Sequence, residues 1–365
     1  MINIVTLPGD GVGPEVTAEA VRCLEQLSHE RDLGLVFTEH AFGGAAIDRY
    51  GDPLPPETLK ACRNADAILL GAVGGHQWND CPVSPEAGLL RLREELGLFG
   101  NLRPAKALRG LQHLSPLRAE VSKDADVLVV RELIGGIYFG ERSSEAHSAS
   151  DLCSYTREEI ERIAHVAFRA ARHRRRKVTS VDKANVLATS KLWRDAVTKV
   201  AKSYPGVELE HMYIDACAMA LITDPRRFDV ILTENMFGDI LSDELSVIAG
   251  SIGLLGSASV GSEGPGVFEP IHGSAPQLAG RNMANPAGAI ASAAMLLEGI
   301  GLDDSATMLV NALEATLSEG CCTADLGGDA TCSEFGAEVR SNLRRGLDRL
   351  DAFRALIEMN RGCCA

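Results

Sequence analysis

Residues 7 to 16 read LPGDGVGPEV. They follow an apolar run, Ile2, Ile4, Val5 and Leu7, and precede a helical pattern. The stretch has the outline of a dinucleotide-binding loop, and whether it is one decides the fold. Such a loop needs Gly-x-Gly-x-x-Gly between a strand and a helix. The glycines give a tight turn, close backbone approach and close helix packing. Counted from Gly9, the third glycine position holds Pro14; counted from Gly11, it holds Val16. Both frames fail. Glu39, after the apolar run Leu33 to Phe37, imitates a ribose-binding acid and completes the decoy. The plainer reading is a Gly-rich strand-to-helix turn. Pro14 then lies near the first helical position, where its missing N–H costs nothing. A nucleotide, if bound, is held by another loop.

The 365 residues suggest about two lobes with a sizeable core. Charged residues make up 24% and hydrophobic residues 45%, as in a soluble globular protein. The net charge of −14 disfavours nucleic acid and anionic membrane as partners, since both would be repelled. A small anionic substrate would then need a local cluster of basic groups or a cation. No signal peptide is visible, because the N-terminus has neither a basic segment nor a long apolar one. No apolar run is long enough to span a membrane. The ten cysteines form no C-x-x-C, which gives no zinc signature and points to reduced thiols in a cytoplasmic protein.

Short β-branched runs recur at Ala67–Leu70, Val127–Val130, Lys177–Val181 and Val230–Thr233. Continuous apolar runs of this kind predict strands buried on both faces, as in a parallel sheet. Between them lie helical patterns, the clearest being TREEIERIAHVAFRAARHRRRK. Thr156 and Glu159 make a capping box, and Ile160, Ile163, Ala164, Ala167, Phe168 and Ala171 make one apolar face. The basic end, Arg172 to Lys177, reads as a solvated helix terminus favoured by the macrodipole rather than a nucleic-acid patch. The alternation predicts an α/β architecture. Arg131-Glu132, Asp182-Lys183 and Glu234-Asn235 follow three of the runs, and ligands collect beyond strand carboxyl ends in open α/β sheets.

Four constellations carry possible chemistry. In PEAGLLRLREELG, Glu86, Leu89, Leu90 and Arg93 fall on one helix face. That face is an ordinary amphipathic one, or it offers two leucines to an apolar group and an arginine to a carboxylate. Arg103 and Arg131 could join Arg93 in holding two carboxylates, because the guanidinium fork matches that geometry. In MFGDILSDELS, Asp239 and Asp243 form an i, i+4 pair. They are either first-turn acids or, with Asp215, a Mg²⁺ or Mn²⁺ site. Lys183 and Tyr138 are a pair that could move protons, or a surface lysine and a core tyrosine. Finally, FEPIHGSAPQLAGRNMANPAG (268–288) has little periodicity. A loop of that length in a compact chain is uncommon unless functional.

Together and in order, LPGDGVGPEV, ILLGAVGG, GLLRLREELGLFGNLRPAK, VVRELIGGIYFGE, SVDKANVL, FGDILSDELS and FEPIHGSAP…ANP resemble the isocitrate/isopropylmalate dehydrogenase family. The resemblance runs from residue 4 to about residue 300. It implies an α/β fold of two lobes with a central mixed sheet, distinct from the Rossmann fold. One lobe would join residues 1–99 to 251–365, and residues 100–250 would form the other, with the dimer interface. It also implies a homodimer with shared active sites.

Residue roles follow from the same resemblance. Arg93, Arg103 and Arg131 would bind the malate carboxylates. Asp215, Asp239 and Asp243 would bind Mg²⁺ or Mn²⁺, with Asp215 and Lys183 supplied by the second subunit. Lys183 would relay the hydroxyl proton and Tyr138 would protonate the enolate. Glu86, Leu89, Leu90 and Val186 would receive the isopropyl group. His272, Gly273, Ser274, Ala275, Gln277 and Asn285 would contact the nucleotide.

The activity implied is NAD-dependent oxidative decarboxylation of 3-isopropylmalate to 2-oxoisocaproate, a step of leucine biosynthesis. NAD-using members carry Asp where this chain has Gln277, and NADP-using relatives carry Lys-Tyr where it has Gln277-Leu278. The resemblance therefore implies NAD. Gly256 and the segment SSEAHSASDLCSYT also depart from the family pattern. A paralogue acting on another 3-substituted malate is the alternative. A ligand-binding homologue without turnover is disfavoured, because Lys183, Tyr138 and the three aspartates are all present.

Overall fold

The computed structural model describes residues 1–107 and 114–362. Twelve strands are found among them: β1 (Ile2–Gly9), β2 (Leu35–Glu39), β3 (Ala67–Ala72), β4 (Gly100–Lys106), β5 (Asp126–Glu132), β6 (Arg142–Ser144), β7 (Ala149–Asp151), β8 (Lys177–Asp182), β9 (Glu208–Tyr213), β10 (Val230–Thr233), β11 (Gly256–Val260) and β12 (Gly266–Pro270). Ten form one sheet in the order β2-β1-β3-β12-β11-β4-β5-β10-β8-β9, and β6 with β7 form a separate hairpin. Strands β2, β1, β3 and β12 are mutually parallel, as are β5, β10, β8 and β9. Between these blocks β11 and β4 run antiparallel to their neighbours, so the blocks run in opposite senses. The sheet is mixed, and its strand order is not that of a Rossmann fold.

Strand β3 shows why continuous apolar runs were needed. Ala67 and Leu69 face the core built by the helices Gly13–Arg31, Ala287–Gly299 and Asp303–Ser318. Ile68 and Leu70 face a second core containing Val5, Leu7, Phe42 and Leu92. Successive side chains thus enter opposite cores, and every residue of β3 is buried. A third core lies under the helix Arg157–Arg172. That helix carries the expected capping box, and the six predicted apolar residues are its buried face.

The basic stretch after this helix is not simply solvated. Arg174 donates to Asp229 (2.9 Å) and to Asp126 (2.7 Å), and Arg175 donates to the carbonyls of Asp126 and Phe228. These arginines fasten the helix end to the starts of β5 and β10. Among the described residues no helix is long and apolar enough to cross a membrane.

Candidate active site

The opening loop has a structural use. Helix Gly13–Arg31 starts beside Pro14, as its chemistry predicts. Gly11 has φ +61°, and a Cβ there would lie 1.9 Å from the Ser274 carbonyl oxygen. The neighbouring Val12 N–H donates to that same oxygen at 2.8 Å. Close backbone approach is therefore spent on the 271–286 loop, not on a pyrophosphate. Asp10 braces the other side. Its carboxylate accepts from the N–H groups of Gly44, Ala45 and Gly74, and burial raises its pKa.

Two cavities, each about 410 Å³, flank the 271–286 loop. One is lined by Val12, Ile252, His272, Gly273, Ala275 and Asn285, among others. The other is lined in part by Gly74, Trp78, Glu86, Gly273 and Ser274. His272 accepts no partner at Nε2, which is buried, while Nδ1 lies 2.9 Å from the Gly273 carbonyl. That carbonyl assigns the proton to Nδ1. Burial lowers the pKa, so the ring is neutral at pH 7 with Nε2 free to accept. Asn285 is committed to structure: Nδ2 donates to Asp325 and Oδ1 accepts from Ala287. Gln277 is exposed and lines neither cavity. Ile252 and Asp325 line the first cavity but were not anticipated, since neither stands in a recognisable motif.

The three arginines converge. Arg93 is buried on the helix Pro85–Glu95, whose start is capped by Ser84. Its Nη2 donates to Glu269 of β12 at 2.7 Å, and its Nε is buried without a partner. Arg103, in the middle of β4, donates to Asn101 (2.7 Å) and Ser242 (2.6 Å). It lies 3.5 Å from both Asp239 and Asp243. Arg131, at the end of β5, donates from Nε and Nη2 to Asn235 and from Nη1 to Asp239. Burial, then the neighbouring Arg103 cation, pushes Arg131 down to about 10. It remains charged at pH 7 but is poorly solvated, a state that an arriving carboxylate relieves. Gly238 makes room for it, since a Cβ there would lie 2.7 Å from Arg131 Cγ.

Tyr138 completes this group. Its hydroxyl donates to Asp239 at 3.2 Å, and burial followed by the Asp239 charge raises its pKa. Asp243, at the solvent edge, is raised by burial. Leu89 and Leu90 are half-buried and Glu86 is exposed along the Arg93 helix.

Lys183, Val186 and Asp215 stand elsewhere. Lys183 ion-pairs with Asp215, which lowers the Asp215 pKa. Val186 lies on the turn after β8 and is 65% exposed. Among the described residues no hydrogen bond or ion pair joins this set to Asp239 or Arg131, and no three metal-type side chains converge within the chain. The carboxylates of Asp239, Asp243 and Asp215 are hard oxygen donors, suited to Mg²⁺ or Mn²⁺ rather than to a soft metal.

Two buried arginines, Arg93 and Arg131, and the half-buried Arg103 stand beside partly exposed aspartates and a tyrosine, a cluster whose chemistry suits carboxylates. The isocitrate/isopropylmalate dehydrogenase family model matches residues 3–339, and the chain belongs to that family of enzymes. It is 53% identical to the 3-isopropylmalate dehydrogenase of Staphylococcus saprophyticus, over 93% of this chain and 99% of that protein. It is 51% identical to the 3-isopropylmalate dehydrogenase of Listeria innocua, over 94% and 99%. Among solved structures, an isocitrate dehydrogenase from Methylococcus capsulatus aligns with a TM-score of 0.86 at 32% identity, covering 94% of this chain and all of that one. A β-decarboxylating dehydrogenase from Thermococcus kodakarensis aligns at 0.80 and 37% identity, covering 94% and 97%.

Proposed function

We propose that the chain oxidatively decarboxylates 3-isopropylmalate to 2-oxoisocaproate with NAD, in leucine biosynthesis. The observation that carries this reading is the arginine cluster beside the leucine-bearing face of the Pro85–Glu95 helix. Two carboxylates find Arg93, Arg103 and Arg131, while Leu89 and Leu90 offer an apolar wall. Gly273, Ser274, Ala275 and the free Nε2 of His272, with Asn285 bracing the loop, suit the adenosine part of a dinucleotide, because an acceptor there meets an amino group. Gln277 carries no charge of its own to repel or attract a 2′-phosphate, and the neighbouring Arg281 is engaged with the Gln277 carbonyl at 3.5 Å.

The chemistry divides among the residues as follows. Arg93, Arg103 and Arg131 hold the carboxylates and orient C2. Lys183 takes the C2 hydroxyl proton, and NAD held along the 271–286 loop would supply the acceptor for the C2 hydride. The resulting β-keto acid loses CO2, and Tyr138 delivers a proton to C3. A divalent cation held by Asp239, Asp243 and Asp215 would stabilise negative charge on the substrate oxygens.

We further infer a homodimer in which Lys183, Val186 and Asp215 serve the second subunit's arginine cluster. Met219, Ile222, Ile240 and Val247 support it. They are large apolar side chains at least half exposed on the helices that bear Asp215, Asp239 and Asp243. Incubation with 3-isopropylmalate, NAD and Mg²⁺ should yield NADH and 2-oxoisocaproate in equal amounts, and EDTA should abolish both. Turnover in metal-free buffer, or no 2-oxo acid, overturns the reading.

A further inference from the structure

Asn235 opens the helix Asn235–Ala249 immediately after β10 and is fully buried. Its side chain has no spare hydrogen-bonding capacity. Oδ1 accepts from Arg131 Nε at 2.9 Å and from Arg131 Nη2 at 2.7 Å. Nδ2 donates to the carbonyls of Leu133 (3.0 Å) and Gly135 (3.1 Å). A primary amide offers two donors and two lone pairs, and all four are used. A guanidinium on one side and carbonyls on the other also fix which way the amide faces. The backbone N–H is held as well, donating to the Tyr155 hydroxyl at 3.0 Å.

Two consequences meet in this one side chain. With Nε and Nη2 occupied by Asn235, Arg131 presents Nη1 to Asp239 and the cluster. The carbonyls of Leu133 and Gly135 begin the turn whose short helix Gly136–Tyr138 ends on Tyr138. We propose that Asn235 is a positioning residue that sets Arg131 and Tyr138 relative to each other, so that carboxylate binding and C3 protonation share one geometry. The inference rests on the roles given above to Arg131 and Tyr138.

The test is steady-state kinetics of the full-length enzyme with 3-isopropylmalate, NAD and Mg²⁺, comparing Asn235→Ala, Asn235→Asp and Arg131→Gln. Asn235→Ala frees the arginine, and KM for isopropylmalate should rise at least about tenfold, with KM for NAD unchanged. Asn235→Asp is isosteric and keeps the acceptor for Arg131 but sets charge against two carbonyls. Its KM should stay within about threefold of the parent while kcat falls about tenfold. This variant also carries the test if the alanine variant does not fold. An Ala variant with parental KM, or an Asp variant whose KM rises as far as its kcat falls, overturns the proposal. If Arg131→Gln leaves KM unchanged, the reading of the arginine cluster fails instead.

Discussion

The Tyr138 hydroxyl donates to one oxygen of Asp239, and the other oxygen of the same carboxylate accepts from Arg131. One aspartate thus joins the group proposed to give a proton to the group proposed to hold substrate. Among the described residues Lys183 makes no hydrogen bond or ion pair with this set and pairs with Asp215 instead. The two proton-handling residues should therefore separate kinetically. Lys183→Met should block NADH formation. Tyr138→Phe should still permit hydride transfer and slow the later protonation by about 10²-fold or more. Single-turnover NADH bursts compared with 2-oxo acid release check this. Equal, small losses from both substitutions would remove the assigned roles.

Sharing of the site between subunits has its own test. In the proposed shared site, Lys183→Met and Asp239→Asn would each cripple one half. Mixed dimers contain one site that carries both lesions and one that carries neither. Activity should reappear on mixing, to at most about half of the parent activity per mixed dimer, since one of two sites is intact. No recovery despite demonstrated subunit exchange contradicts a shared site.

The Gly11 contact with Ser274 makes a prediction about cofactor binding. Gly11→Ala would place a methyl group 1.9 Å from the Ser274 carbonyl oxygen in a left-handed backbone conformation. The 271–286 loop must shift, and KM for NAD should rise more than KM for isopropylmalate. A thermal melt run alongside separates this from unfolding. An unchanged KM for NAD in a folded variant would detach the loop from the nucleotide.

Much of this architecture was legible because the chemistry was local. Strands β3, β5 and β10 contain continuous apolar runs, β8 is rich in β-branched residues, and the Arg157–Arg172 helix displays both its cap and its buried face. Strands β11 and β4 were not legible. GSASV is small and polar because helix Ala287–Gly299 packs closely on it; a Cβ on Gly256 would lie 2.6 Å from Ser292 N. NLRPAK carries Pro104 and Arg103 inside the sheet. In the site, motif residues could be named through the family resemblance, but their fixing partners could not. Asn235 meets Arg131 across 104 positions, and Glu269 meets Arg93 across 176. Arg174 looked like solvent-facing charge because its partners Asp126 and Asp229 lie 48 and 55 positions away in sequence.

Glu132, next to Arg131, is fully buried and is pushed up to about 7 by burial, against lowering from Arg162 and the N–H groups of Ile134 and Gly135. Below its ordinary value of 4.5 it is protonated in both folded and unfolded chains. Between 4.5 and about 7 the unfolded chain has lost a proton that the folded chain keeps. Folding therefore weakens as pH rises through that window, by at most about 3 kcal/mol. Relative to Glu132→Gln, the parent should lose stability between pH 4.5 and 7. Urea midpoints for both proteins across this range check it, and a constant difference would contradict it.

Substrate choice tests the central claim most directly. Isocitrate has a carboxylate where isopropylmalate has two methyl groups. Setting that charge against Leu89 and Leu90 without a partner would cost several kcal/mol, and Glu86 adds repulsion. A methylene more or less on an apolar wall is worth only about 1–3 kcal/mol. Measured kcat/KM should therefore favour 3-isopropylmalate over isocitrate by about 10³-fold or more, with ethylmalate lying between them. If isocitrate turns over as efficiently as isopropylmalate, the Glu86, Leu89 and Leu90 face does not line the substrate pocket, and the proposed function is wrong.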